Sequence, residues 1–383
     1  MTVEPTTTST APHPSVSWRQ DVRAALPAWL GARVLVVAVF LIVRRVTETH
    51  VILHRGVRIS LRSGLIIGDG SWYRDIARIG YRSLAPGGTR FFPLLPLLTR
   101  AITCIGPSSG VSLLVVTNVC ALAAAAAVHR LVILDLRSIQ VARLAAALVA
   151  LQPLGFVLVM GYSESLFLLV SVSALLLLRT ERPGRAAGLG ILAGLTRPTG
   201  ALLTLPIAIE VWRRWPGWDM RRRVSGAVAV VAAPVGTLAY LLWSGHVFGD
   251  VFLPFRVQQE EGLRGRLTDP VSALASAVRD VVLHGRLNAA MHIVWIAAMV
   301  GLVVVCVRRL PASYTALAAI SITVAVTSAN LDSFERYALG TFPLTIAAAW
   351  LSVRLRVGRQ LLVLSAMALV GYEVLALLGR YVP

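Results

Sequence analysis

The chain has 383 residues, 56% of them hydrophobic and only 14% charged, with a mean hydropathy of +0.74. A soluble domain carries about 25% charged residues, so this composition excludes a soluble globule and describes a membrane protein. The net charge of +19 comes from 37 basic residues, all of them Arg. They fall in short clusters between apolar runs, the pattern of membrane loops, and no zinc-finger, helix-turn-helix or RNP motif accompanies them, which argues against a nucleic-acid partner.

Residues 1–20 are rich in Thr, Pro and Ser, lack an apolar run, and read as a disordered tail rather than a signal peptide. The remainder, 21–383, reads as one all-α polytopic membrane domain of about nine or ten spans. A span needs about 20 apolar residues; the candidates are 27–45, 110–129, 143–161, 162–178, 224–245, 289–307, 311–329, 337–353 and 360–378. Two long outer loops are expected, 46–109 and 246–288, the first carrying interfacial helices. Cys104, Cys120 and Cys306 stand apart in apolar surroundings, with no CxxC or His-rich spacing, so neither a disulfide framework nor a metal site is expected.

Segment 186–211 needs its own reading. With the N-terminus inside, Arg130, Arg137 and Arg143 fall inside after two crossings, and Arg179, Arg182 and Arg185 after four. The next cluster, Arg213, Arg214 and Arg221 to Arg223, also belongs inside, so an even number of crossings is favoured between them. Split at Arg197-Pro198-Thr199-Gly200, the segment yields limbs of roughly 17 Å, against a hydrocarbon core of about 30 Å. The prediction is a re-entrant pair with Arg197 at its tip, where irregular backbone must be buried in protein or line a wet cavity. The alternative is one tilted helix with a proline kink.

With this topology the polar residues gather on the outer side. The eight Arg of the first loop, from Arg55 to Arg100, breach the positive-inside rule, which the length of that loop excuses. Asp69 opens a short helical pattern with Trp72, Ile76 and Ile79 on one face and Arg74 and Arg78 on the other, an amphipathic helix at the bilayer surface. Asp69 is either its N-cap or a carboxylate held where a lipid-borne substrate arrives. Phe91-Phe92-Pro93-Leu94-Leu95-Pro96 shapes the rest of that loop. Glu164, in the turn Tyr162-Ser163-Glu164-Ser165, either binds a sugar or caps the following helix. Asp250 and Gln258-Gln259-Glu260-Glu261 are polar enough to touch a substrate. In Asn330–Tyr337, Arg336 suits a phosphate with Tyr337 as an interface anchor, or else pairs on the surface with Asp332 or Glu335.

Taken together, Asp69-Gly70-Ser71-Trp72-Tyr73, Ile76-Ala77, Gly80-Tyr81 and Phe91–Pro96 resemble the first-loop pattern of the PIG-V-like mannosyltransferases, a family of GT-C membrane glycosyltransferases. Gly194–Gly200, Gly249-Asp250 with Gln258, and Ser333–Tyr337 with Phe342-Pro343-Leu344 resemble later segments in the same order. The resemblance implies a GT-C-like fold and transfer of a sugar, commonly mannose, from a polyprenyl-phosphate donor to a lipid-linked or protein acceptor, with inversion. It places the site on the outer face of a plasma membrane of actinobacterial type. By that resemblance Asp69 is the general base, Arg336, Tyr337 and Arg197 hold the donor phosphate, and Trp72, Tyr73, Glu164 and Gln258 meet substrate. No cofactor beyond the donor is implied, and metal dependence is left open. The family often carries Trp where this chain has Gly68, and Pro where it has Val251. The rival expectation is a lipid or sugar transporter, in which the arginines bind a headgroup and Asp69 only caps.

Overall fold

The computed structural model describes residues 17–49, 64–84, 86–260, 263–284, 287–328, 330–331 and 334–381. The expectations for residues 1–16, Arg55, Arg58, Arg62, Glu261, Asp332 and Ser333 lie outside the described residues. Every regular element among the described residues is helical. Five helices are long and apolar enough to cross a membrane: α1 (Trp18–Thr49), α4 (Ser109–Leu136), α9 (Met220–Phe248), α12 (Leu287–Arg309) and α16 (Gly358–Leu377).

The other predicted spans are helices too, but shorter ones. The expected span 143–161 is α5 (Ile139–Leu151), which stops at Gln152 because Pro153 follows and disfavours helical backbone in the residue before it; a short 3-10 turn at Gly155–Leu158 continues the chain. α6 (Glu164–Arg179) and α13 (Ala312–Val326) stand where expected. The expected span 337–353 is two pieces, α14 (Phe334–Leu339) and α15 (Phe342–Arg354), parted at Gly340-Thr341 ahead of Pro343 near the start of α15. The first loop supplies α2 (Asp69–Ile79) and α3 (Leu94–Thr103).

Contacts between helix ends show that the bundle has two polar rims. At one, Asp21 of α1 holds His129 and Arg130 of α4 at 2.7 and 2.6 Å. At the same rim Arg179 at the end of α6 reaches Asp135 of α4 at 3.1 Å, and Tyr314 at the start of α13 bonds that same carboxylate. The opposite rim holds Asp69, Glu164, Arg197 and Arg336. An apolar core of Ala, Val and Leu from α4, α5, α6, α7 (Pro183–Thr196) and α13 fills the space between.

The segment between α6 and α9 forms the broken pair that the Arg clusters favoured, and not a single kinked span. α7 (Pro183–Thr196) rises from the first rim, breaks at Arg197 (φ −155°, ψ 153°), makes a 3-10 turn over Pro198–Leu203, and returns as α8 (Thr204–Arg214). Both feet stand together: Glu181, just before α7, lies 3.4 Å from Arg214 at the end of α8 and 3.8 Å from Arg222 at the start of α9. With 14 and 11 residues, the limbs reach about 21 and 17 Å at 1.5 Å per residue. α7 lies against α9 with almost no space between backbones. A Cβ on Gly194 would sit 2.1 Å from the Ala233 carbonyl oxygen, and one on Gly236 would sit 2.2 Å from that of Ile191. Small residues at such contacts let membrane helices approach closely.

The second loop contains α10 (Leu253–Gln258) and α11 (Pro270–His284), the latter not anticipated from the sequence. α11 buries Ala273 and Ala277 and exposes Val271, Leu274, Val278 and Val282 along the other face, an i, i+3, i+4 stripe that suits lipid. In a protein whose three native cysteines have been replaced, cysteines introduced at Arg182 and Gly217 are expected to react with an impermeant maleimide from the same side of the membrane. Labelling from opposite sides would mean that 186–211 crosses once.

Candidate active site

α2 starts at Asp69 because Gly68 precedes it with φ 56°, a left-handed conformation open to glycine. A Cβ at Gly68 would lie 2.3 Å from the Tyr162 hydroxyl, so the place of a larger side chain before the aspartate is taken by Tyr162. Asp69 is not the N-cap. It is the first helical residue, and its carboxylate turns to Arg336, with Nη1 donating to Oδ2 over 2.6 Å. The buried face of α2 also differs from the expected one: Gly70, Tyr73, Ile76 and Ala77 pack inward while Ile79 is exposed. The helix lies on α3 and α4, so protein contacts rather than a bilayer surface choose its inner face. Trp72 stacks on Phe91 at 5.7 Å and 19° between ring planes.

Glu164 caps nothing by its side chain. It is the first residue of α6, where the positive end of the helix dipole favours a carboxylate. Buried to 4% exposure, its Oε1 accepts from Arg197 Nη1 at 2.6 Å and lies 3.4 Å from Arg336 Nε. One acid thus joins the tip of the α7–α8 pair to α14. Arg336 makes no surface pair with Glu335, which instead bonds His292 at 2.7 Å and the Tyr381 hydroxyl at 3.1 Å. Tyr337 is not an interface anchor: its ring lies among Arg264, Arg197 and Arg336.

These groups border one cavity of about 590 Å³. Asp69, Tyr73, Arg197, Gln258, Arg336 and Tyr337 line it, as the sequence reading placed them. Glu164 stands behind the two arginines, on a small adjoining recess. Trp72 is not on the wall; it supports Phe91, which is. Asp250 lies outside the cavity and pairs with Arg256. The first-loop wall is pinned by hydrogen bonds from Tyr81 to the Phe91 carbonyl (2.6 Å) and from Tyr240 to that of Thr89 (2.7 Å).

Three arginines of the lining were not expected there from the sequence, Arg90, Arg256 and Arg264. Among 37 arginines no local spacing distinguishes them; Arg90 stacks on Phe91 at 4.7 Å, and that aromatic neighbour was the one available hint. Burial would lower the proton affinity of Arg336, but the carboxylates of Asp69 and Glu164 outweigh it and hold the guanidinium charged well above its ordinary range. Burial, and then the charge of Asp69, push the Tyr73 phenol above its usual range, so the cavity meets a neutral hydroxyl there.

No protein-family model matches the chain, and neither does any curated protein. Among solved structures, the chain is similar to the crystal structure of the Archaeoglobus fulgidus oligosaccharyltransferase in complex with zinc and sulfate. The identity is 15% and the TM-score 0.43, over 91% of this chain and 53% of that one. The chain thus spans about half the length of that protein, and a likeness at this level lends no weight to the functional reading below.

Replacing Glu164 by Gln leaves Arg197 and Arg336 buried together without their shared counter-charge. Losing one partner of a buried ion pair costs about 3–5 kcal/mol, so Glu164→Gln is expected to lower the unfolding temperature in detergent markedly. An unchanged transition would show that this acid does not hold the two elements together.

Proposed function

We propose that the chain is a GT-C-type membrane glycosyltransferase. In this reading it moves a sugar, mannose by the resemblance of its loop motifs, from a polyprenyl-phosphate donor to a hydroxyl of a lipid-linked or protein acceptor at the outer face of the plasma membrane. The observation that carries the reading is the 2.6 Å contact between Asp69 and Arg336, 267 residues apart in sequence, on the wall of one cavity at one rim of the bundle. A carboxylate able to take a proton and guanidiniums able to hold a phosphate are the two devices that inverting transfer from a phosphate donor requires.

The chemistry follows from those atoms. The acceptor hydroxyl gives its proton to Asp69 while its oxygen attacks the anomeric carbon from the face opposite the phosphate. The sugar–phosphate C–O bond breaks, its electron pair goes to the departing phosphate oxygen, and Arg336 with Arg197 stabilises the charge that appears there. Arg336 has a second task, because it also holds Asp69. A donor phosphate competes for the same guanidinium, so its arrival loosens the carboxylate and leaves it free to act as a base. Donor before acceptor is the order this implies. Tyr73 and Gln258, on the same wall, would meet the sugar or acceptor hydroxyls.

Transfer of radiolabelled mannose from polyprenyl-phosphate mannose into membrane lipid or protein is expected for the wild type and is expected to fall by a factor of about 10² or more in Asp69→Asn, the usual contribution of a general base. Full activity in that variant at equal expression removes Asp69 as the base. Arg336→Ala is expected to impair use of the donor far more than use of the acceptor; an unaltered donor dependence rejects the phosphate role. A wild-type protein that moves lipid across vesicles but transfers no label is a transporter.

A further inference from the structure

Three guanidiniums surround the ring of Tyr337, with Arg264 4.6 Å, Arg197 5.0 Å and Arg336 5.4 Å from its centroid. Two carboxylates answer two of them: Glu164 holds Arg197, and Asp69 holds Arg336. Arg264 has no carboxylate partner among the described residues. Its Nη2 donates to the carbonyls of Val324 and Ala325 at 3.4 and 3.1 Å and lies 3.4 Å from the Ser328 hydroxyl, at the C-terminal turn of α13. Its Nε is buried without a partner. The backbone is held as well, since Asn330 donates to the carbonyls of Arg264 and Leu263 at 3.1 and 3.0 Å. A guanidinium is thus fixed in place on the wall of the cavity, carrying a charge that no described acid balances.

We propose that Arg264 is a third phosphate-binding arginine, whose charge balances the lipid phosphate both before and after the sugar leaves it. This rests on the transferase reading above and names a group that the loop motifs do not. The charge balance decides the assignment. Among the described residues, three guanidiniums face Asp69, Glu164 and, before transfer, a singly charged phosphodiester, and these charges sum to zero. After transfer, Asp69 carries the acceptor proton and is neutral, while the released phosphate monoester carries two charges. The cluster is neutral again. Without Arg264 it would hold one uncompensated negative charge in both states, in a partly desolvated place where such a charge is costly. Of the other lining arginines, Arg256 is answered by Asp250, and Arg90 stacks on Phe91 of the first-loop wall and not on Tyr337, so neither belongs to this cluster.

The test uses the full-length protein in nanodiscs, a short-chain polyprenyl phosphate as probe, and its methyl ester as the singly charged counterpart. Arg264→Gln keeps hydrogen-bond donors for the α13 carbonyls but removes the charge; Arg264→Lys keeps the charge. Wild type is expected to bind the phosphate in a salt-sensitive way. Arg264→Gln is expected to bind it about tenfold more weakly or worse, the usual size of a lost charge-assisted hydrogen bond, and to lose less affinity for the methyl ester. Arg264→Lys is expected to recover most of the affinity. The proposal is overturned if Arg264→Gln binds the phosphate as wild type does. It is also overturned if both variants lose it equally together with a lowered unfolding temperature, which would make Arg264 a strut for the loop. Salt-sensitive binding that Arg264→Gln abolishes, in a protein that transfers no sugar, supports the phosphate site and removes only the transferase reading.

Discussion

At the start of α6 a single buried acid, Glu164, faces two arginines from later and widely separated parts of the chain, Arg197 from the tip of the α7–α8 pair and Arg336 from α14. Burying a charge is costly unless it is paired; Glu164 is the carboxylate partner of Arg197 and shares Arg336 with Asp69. A buried ion pair adds little net stability over apolar packing of the same shape. Its effect is to make the alternatives worse: any arrangement that separates these three segments strands a charge. Asp69 joins the same network through Arg336, so the start of α2 is placed by it as well. The cavity is what remains between four segments that electrostatics forces together at one rim.

Depth comes from a different source. α7 reaches the site rim only because Gly190, Gly194 and Gly236 let it lie against α9 with backbones nearly touching, and it turns there because Arg197 adopts extended backbone ahead of Pro198. The feet of the pair are tied at the far rim, where Glu210 of α8 is held by Arg179 of α6 and by Ser313 of α13. The pair leaves one rim and returns to it, so it delivers a charged side chain to the cavity without carrying the chain across. The same geometry keeps the clusters Arg182 to Arg185 and Arg213 to Arg223 on one side.

How far this was legible in the amino acids differs from element to element. Apolar run length located each helix of the bundle, because a span must bury its backbone in its own hydrogen bonds. The ends were less legible. Pro153 and Gly340 divide runs whose hydropathy is unbroken, and α11 carries Arg279 and Asp280, which interrupt its apolar run. On α2 the spacing of Trp72, Ile76 and Ile79 pointed to the wrong inner face, since that pattern was matched to a bilayer and the helix packs on α3 and α4. Asp69 reads locally as a cap; it becomes a site residue only through an arginine 267 positions away.

Composition, run length and the placement of arginines were enough to determine an all-helical membrane protein and to favour a broken pair at Arg197 over one kinked helix, because those properties depend on what the bilayer permits at each depth, a constraint that acts on each segment separately. The partners of the charged groups were decided only by the tertiary structure. Whether Glu164 caps or clamps, whether Arg336 turns to Glu335 or to Asp69, and that Arg264 belongs to the site at all depend on distances between segments remote in sequence. Pairing energy falls off over a few ångströms, and no local pattern of residues encodes which remote charge will lie within that range.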